Sequence, residues 1–409
     1  AMGGLLSAPL SCAASCGGGL LAGCCCKLAT SGSTGTTRSA RCVLLWLQIF
    51  TASLACLMTI NPSSWLSWPC NQLNGVGVCE CHGLPDEESC FGDQLIYRAE
   101  ASVTLVFCFL LILCVSGCAT AAAKSFPVGK FLAVILILVV LLFLPNELMS
   151  AFGGAAGVIS SAYLVAQTVM LIGFAYDWNQ TWHTNALSAL RREIGQRGYK
   201  RWLAAIIVSS VLLLLAGLAG CVLLCIDFPV GGAQALVITT FVVSLVLLVI
   251  SISGWCEHGA LLTSALVLAY SMWLSYEALS MLSTSNDFTP HLLPRWVGLT
   301  ICALSLTAFA HSTGLSVSGQ QNEGPLAAER AEAGAAGEEE ADAPAGLDTW
   351  DFTVQCVVHA AAALYVTSSL APARSTVTLV ARVVAVCASL LLYGWSLVAP
   401  KVLTNRNFS

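Results

Sequence analysis

Apolar residues follow one another for about twenty positions at a time along most of this chain, with no polar face between them. A helix crosses a hydrocarbon core with roughly 20 apolar residues, and runs of 18 or more with few charges qualify. Ten stretches meet or nearly meet that length, at approximately 42–60, 99–120, 129–144, 151–178, 202–226, 233–253, 259–282, 295–312, 352–370 and 376–400. The third and fourth are parted only by Pro145, Asn146 and Glu147, which read as a tight turn. The fourth is long, and its run from Gly157 to Ala175 passes into Tyr176, Asp177 and Trp178. The eighth and ninth are short and broken by polar residues. All ten are too long and too evenly apolar for barrel strands. The pattern predicts an all-α, polytopic integral membrane protein with about ten transmembrane helices.

Composition sharpens this. The 409 residues are 57% hydrophobic and only 10% charged, against about 25% charged in an ordinary soluble domain. So little charge cannot cover a water-facing surface, which excludes a soluble enzyme and a disordered chain. A net charge of −5 also excludes a broad phosphate-binding face, and with it nucleic-acid binding.

The placement of Lys and Arg sets the expected orientation. With the N-terminus in the cytoplasm and ten alternating spans, 13 of the 17 bases fall on the cytoplasmic side. Only Arg98, Arg295 and Arg374 fall opposite, and Arg382 lies inside the last span. Both termini are then cytoplasmic. The chain divides into a Cys-rich cytoplasmic or interfacial segment at 1–41 and eight spans over 42–312 with a luminal loop at 61–97. An acidic loop follows at 313–349, then the last two spans and a short tail at 350–409.

The luminal loop carries Cys70, Cys79, Cys81 and Cys90. Oxidising compartments preserve disulfides, and four cysteines allow three pairings. Zinc is the competing reading, because Cys79-Glu80-Cys81-His82 is dense in ligands. Before the first span, Cys24, Cys25 and Cys26 are candidates for S-palmitoylation, or simply small packing residues. The 313–349 loop has eight acids against Arg330 alone and few large apolar side chains, a composition that cannot bury enough surface to order itself.

No zinc helix, P-loop, nucleophile elbow or dinucleotide fingerprint occurs, and the six histidines are scattered. No catalytic residue and no metal site is therefore expected. Most acids near the spans sit at helix ends. Glu277 and Arg382 lie within them. Ionisable groups in hydrocarbon line cavities or pair with one another, so these two are the candidates for a polar pathway. Gly153 and Gly157 form a G-x-x-x-G face suited to close helix packing.

Two stretches of sequence carry a resemblance. Leu391-Leu392-Tyr393-Gly394-Trp395-Ser396-Leu397-Val398-Ala399-Pro400, followed by Val402 through Ser409, is similar to the ending of the serine incorporators, also called TMS membrane proteins. Gly173-Phe174-Ala175-Tyr176-Asp177-Trp178-Asn179-Gln180-Thr181-Trp182 resembles the family's motif after the fourth span. The Cys-rich start, Thr37-Arg38, Cys90 with Tyr97-Arg98, and Arg382 in the last helix agree with it. Glu277 stands where the family has a small polar residue, and the acidic loop is poor in serine.

The resemblance implies two helical bundles divided by a long, steeply tilted fourth helix, with a lipid-accessible groove between them. It also implies lipid handling: energy-independent scrambling, or support of serine incorporation into phosphatidylserine and sphingolipids. Arg382, Glu277, Asp177, Trp178 and Trp182 are then the candidate groove residues, their separated charges receiving a zwitterionic headgroup. The alternative is an accessory or structural subunit of a larger membrane complex; an enzyme is not expected. The expected partners are membrane lipids, with a bound phospholipid or sterol but no cofactor, in an endomembrane or the plasma membrane. A homo-oligomer or larger assembly is compatible with this reading.

Overall fold

The structure is a computed structural model and describes residues 35–58, 62, 70, 76–82, 87–118, 127–191, 195–229, 231–253, 260–282, 292–319 and 349–402. Among these residues it is helical, without strands. Ten long helices follow in order: α1 Gly35–Met58, α2 Glu87–Leu113, α3 Pro127–Leu142, α4 Asn146–Arg191 and α5 Gly195–Asp227. Then come α6 Gly231–Ile252, α7 Leu261–Leu279, α8 Leu292–Gly319, α9 Thr349–Leu370 and α10 Thr376–Val402. Each overlaps one of the ten apolar stretches. Six are long and apolar enough to cross a membrane by length and composition, and shorter apolar segments lie in α1, α3 and α8. The chain is an all-α, multi-pass membrane protein.

Helix ends depart from the hydropathy limits, and most at α4. Its 46 residues reach about 69 Å at 1.5 Å per residue, more than twice a hydrocarbon core of about 30 Å. Hydropathy falls at Asp177, but backbone hydrogen bonding does not depend on apolar side chains, so the helix continues to Arg191. In the same way α8 passes residue 312 and ends at Gly319, inside the stretch expected to be loop. Cys24, Cys25 and Cys26 and residues 320–348 lie outside the described residues.

Packing separates the helices into two groups. In one, α2 is flanked by α1, α3 and α9, and α8 packs on α9 and α1. In the other, α7 is surrounded by α5, α6 and α10. The long α4 touches both, with α9, α8 and α2 on one side and α5, α10 and α7 on the other. Hidden among its neighbours, α7 can carry buried Thr263, Ser264, Ser271, Ser275 and Glu277. By contrast, α5 and α6 present Leu212, Leu215, Leu223, Ile238 and Val246 outward, as helices facing lipid do. On the small-residue face of α4, a Cβ on Gly153 would lie 2.6 Å from the Tyr97 ring, and one on Gly157 would lie 3.0 Å from Thr378 Oγ1. These two glycines let α2 and α10 close on α4 from opposite groups.

The α3–α4 elbow is built around Arg98, one of the three bases that the charge pattern assigns to the non-cytoplasmic side. It is fully buried. Its Nε donates to the Leu141 carbonyl (3.0 Å) and its Nη2 to the Leu144 carbonyl (2.9 Å) and Asn146 Oδ1 (2.8 Å). Its Nη1 donates to Gln94 O (3.0 Å) and Gln94 Oε1 (2.7 Å). The last carbonyls of a helix have no partner within it and carry the negative end of its dipole, so a guanidinium is well matched to the end of α3. Disulfides join Cys70 to Cys79 and Cys81 to Cys90, and His82 Nδ1 lies 2.9 Å from Glu87 Oε1. The turn at Gly77–Cys81 rests on this elbow: a Cβ on Gly77 would lie 1.8 Å from the Leu144 carbonyl oxygen.

Candidate functional site

Between the two groups, one side of α4 is polar at helical spacing. Ser160, Tyr163, Gln167 and Thr168 are all buried, and residues three, four and seven apart share a helix face. Each finds a partner on a different neighbour. Ser160 Oγ donates to Ser368 Oγ of α9 at 3.1 Å. Tyr163 Oη lies 3.3 Å from Ser305 Oγ and from Cys302 Sγ, both on α8. Gln167 Nε2 donates to Ser305 Oγ (3.2 Å) and Gln167 Oε1 accepts from Tyr270 Oη of α7 (2.9 Å). Thr168 Oγ1 meets Ser389 Oγ of α10 at 2.7 Å. Thus α4 is hydrogen-bonded to both groups through its interior.

One end of this seam holds the only buried ion pair among the described residues. Arg382 of α10 is fully buried and Glu277 of α7 is 4% exposed. Arg382 Nη1 donates to Glu277 Oε2 and, at 2.9 Å, to the Glu277 carbonyl, while Nη2 donates to Ser368 Oγ. Tyr365 Oη donates to Glu277 Oε1 at 3.3 Å, and its ring lies 5.4 Å from that of Tyr163. Glu277 sits in the last turn of α7, so the guanidinium also meets the negative end of that helix. Arg382 Nε is buried and has no hydrogen-bond partner among the described residues.

This corrects the expected arrangement of separated charges open to a groove. Arg382 and Glu277 neutralise each other in the packed interior. A buried carboxylate and guanidinium are tolerable there because each satisfies the other and Ser368 and Tyr365 take further hydrogen bonds.

Asp177, Trp178 and Trp182 are not brought to this pair. Asp177 stands 17 positions beyond Ser160 on α4, about 26 Å along the helix axis, and it is exposed. Trp178 and Trp182 are half-buried and belong to an aromatic ladder. Ring centroids are 5.6 Å apart from Phe174 to Trp178, 5.1 Å from Trp178 to Trp182 and 6.0 Å from Trp182 to Trp202 of α5. Such aromatic groups collect where a membrane meets water. The candidates therefore fall into two places: an interior ion pair, and an aromatic end of α4 and α5.

Sequence reading missed Ser160, Tyr163, Gln167 and Thr168, along with Tyr270, Tyr365 and Ser368. A signal was present on α4, where polar residues recur at helical spacing inside a run that hydropathy averages as apolar. Among the described residues, no three His, Cys, Asp or Glu side chains gather as metal ligands.

A family model described as Serine incorporator (Serinc) matches residues 10–295. The chain is 28% identical to Serine incorporator 2 of Bos taurus over 421 aligned positions, covering 88% of this chain and 90% of that protein. It is 26% identical to Serine incorporator 2 of Homo sapiens, over 84% of this chain and 85% of the relative. With Serine incorporator 5 of Danio rerio the identity is 24%, over 66% of this chain and 58% of the relative.

Proposed function

We propose that this chain, which belongs to the serine incorporator family, moves phospholipid headgroups between leaflets without energy input, along the boundary between α4 and the two helix groups. The observation supporting this reading is the seam of Ser160, Tyr163, Gln167 and Thr168 and its partners on α7, α8, α9 and α10. A helix buried only for packing gains little from four polar groups on one side. A headgroup entering the boundary can exchange hydrogen bonds with these hydroxyls and amides while its acyl tails stay in lipid.

The ion pair fits the same task by charge conservation. A zwitterionic headgroup presents a phosphate and an ammonium. When the boundary opens, Arg382 exchanges Glu277 for phosphate oxygens, which its planar fork binds two at a time. Glu277 receives the ammonium. No uncompensated charge is left in the interior at either stage. This path serves scrambling directly, and it would support serine incorporation by supplying phospholipid to the opposite leaflet. The chain acts here as a carrier of lipid and not as an enzyme, in an endomembrane or the plasma membrane with both termini cytoplasmic.

The test is fluorescent-lipid exchange in proteoliposomes without nucleotide. The expected result is quencher access to label from both leaflets. Access limited to the outer leaflet, as in protein-free vesicles, would remove the scrambling reading. Recovery of stoichiometric partners in mild detergent would then favour the accessory-subunit alternative.

A further inference from the structure

The contact between α1 and α2 holds a carboxyl group that the lipid path does not use. Glu100 of α2 is fully buried, and Gln48 of α1 is 3% exposed. They share one hydrogen bond, from Gln48 Nε2 to Glu100 Oε2 at 3.5 Å. The remaining oxygen of each, Glu100 Oε1 and Gln48 Oε1, is buried without a hydrogen-bond partner among the described residues.

An ionised Glu100 leaves that arrangement unbalanced, with two acceptors and, among the described residues, no donor between them and no counter-charge. The buried carboxylate at Glu277 shows how this fold accommodates a charge, with a guanidinium on one oxygen and a tyrosine on the other. Among the described residues, nothing similar faces Glu100. Arg98, half a turn away on α2, is committed to Gln94, Asn146 and the end of α3. Lys130 of α3 lies by Cys114 and Cys356 instead. His359 of α9 packs on the Phe107 ring, two turns along α2 from Glu100. Cys302 of α8 is a titratable neighbour of Glu100, and a thiol supplies no positive charge.

One proton resolves both unmet oxygens together. With hydrogen on Glu100 Oε1, that group donates to Gln48 Oε1 while Gln48 Nε2 donates to Glu100 Oε2. Carboxylic acid and primary amide then close a ring of two hydrogen bonds. A hard cation is a poor alternative, since calcium takes 6–8 oxygen ligands and magnesium six, against two unmet oxygens here. We infer that Glu100, paired with Gln48, is a proton-binding site in the interior of the membrane domain, occupied as a neutral carboxylic acid. The inference is independent of the lipid reading, because it rests on α1 and α2 alone. Its consequence is that α1 and α2 can part, or admit water, only by breaking this ring and freeing the proton.

Infrared difference spectroscopy on the purified full-length protein in lipid nanodiscs tests it. At neutral pH the wild type should show the carbonyl stretch of a protonated carboxyl, shifted down in D2O and lost in Glu100→Gln. That variant keeps an amide–amide pair in place, so it should fold. Gln48→Leu removes the acceptor and should move the band to higher frequency, which also reads the site if Glu100→Gln is poorly produced. Loss of an ionised-carboxylate stretch in Glu100→Gln, or a band unmoved by Gln48→Leu, would overturn the assignment.

Discussion

Arg382 of α10 and Glu277 of α7 hold each other as a buried ion pair. That changes what substitution should do. An unpaired groove arginine could be replaced without harm to the fold. Arg382→Ala in this interior instead leaves Glu277 buried without its partner, a situation that costs about 3–5 kcal/mol. We expect a large fall in thermal stability in detergent, followed by fluorescence-detected gel filtration. The double variant Arg382→Met with Glu277→Gln removes both charges and should recover most of the loss, since apolar replacements of a buried pair are often neutral. Equal instability of the single and double variants would mean that packing, and not the charge pair, sets the stability. The partner was not legible because residues 277 and 382 are 105 positions apart, and nothing in a hydropathy run says which spans face one another.

At the scale of elements, the α3–α4 elbow depends on one side chain from α2. Replacing Arg98 by Met keeps the volume and removes five donated hydrogen bonds, leaving the Leu144 carbonyl and the side-chain oxygens of Gln94 and Asn146 without those donors, while the Leu141 carbonyl keeps the Leu144 N–H. Each buried group so orphaned costs about 1–3 kcal/mol, so Arg98→Met should lower the melting temperature as severely as Arg382→Ala. A wild-type melting curve for Arg98→Met would show that the elbow holds without it. The two disulfides on that elbow give a covalent check: Cys70, Cys79, Cys81 and Cys90 should take up a maleimide only after reduction. Free reactivity of all four before reduction would remove the staple. Element existence was readable throughout, as all ten apolar stretches are helices. Element length was not, because α4 continues through Asp177 and Trp178, where helix formation no longer depends on apolar side chains.

For the whole molecule, the lipid path requires α4 to move against its neighbours. Thr168 Oγ1 and Ser389 Oγ are 2.7 Å apart across α4 and α10, close enough for paired cysteines to bridge. Oxidised Thr168→Cys with Ser389→Cys should slow lipid exchange by at least about tenfold, one factor of ten being about 1.4 kcal/mol in the barrier, and reduction should restore it. Exchange at the unlocked rate would place the path elsewhere. Deleting 321–346, beyond the end of α8 at Gly319, should leave the melting temperature unchanged, because that acidic stretch has little apolar surface to bury. The sequence by itself determined the class of protein, its ten helices and its small-residue packing face, because each is a property of residues near one another in the chain. Only the tertiary structure decided that Arg382 meets Glu277, that Arg98 is buried at a helix end, that Glu100 faces Gln48, and that Asp177 and Trp178 stand apart from the interior pair. Those are contacts between helices far apart in sequence, fixed by which faces pack together, and neither the polar side nor the small-residue face of a span says which helix it will meet.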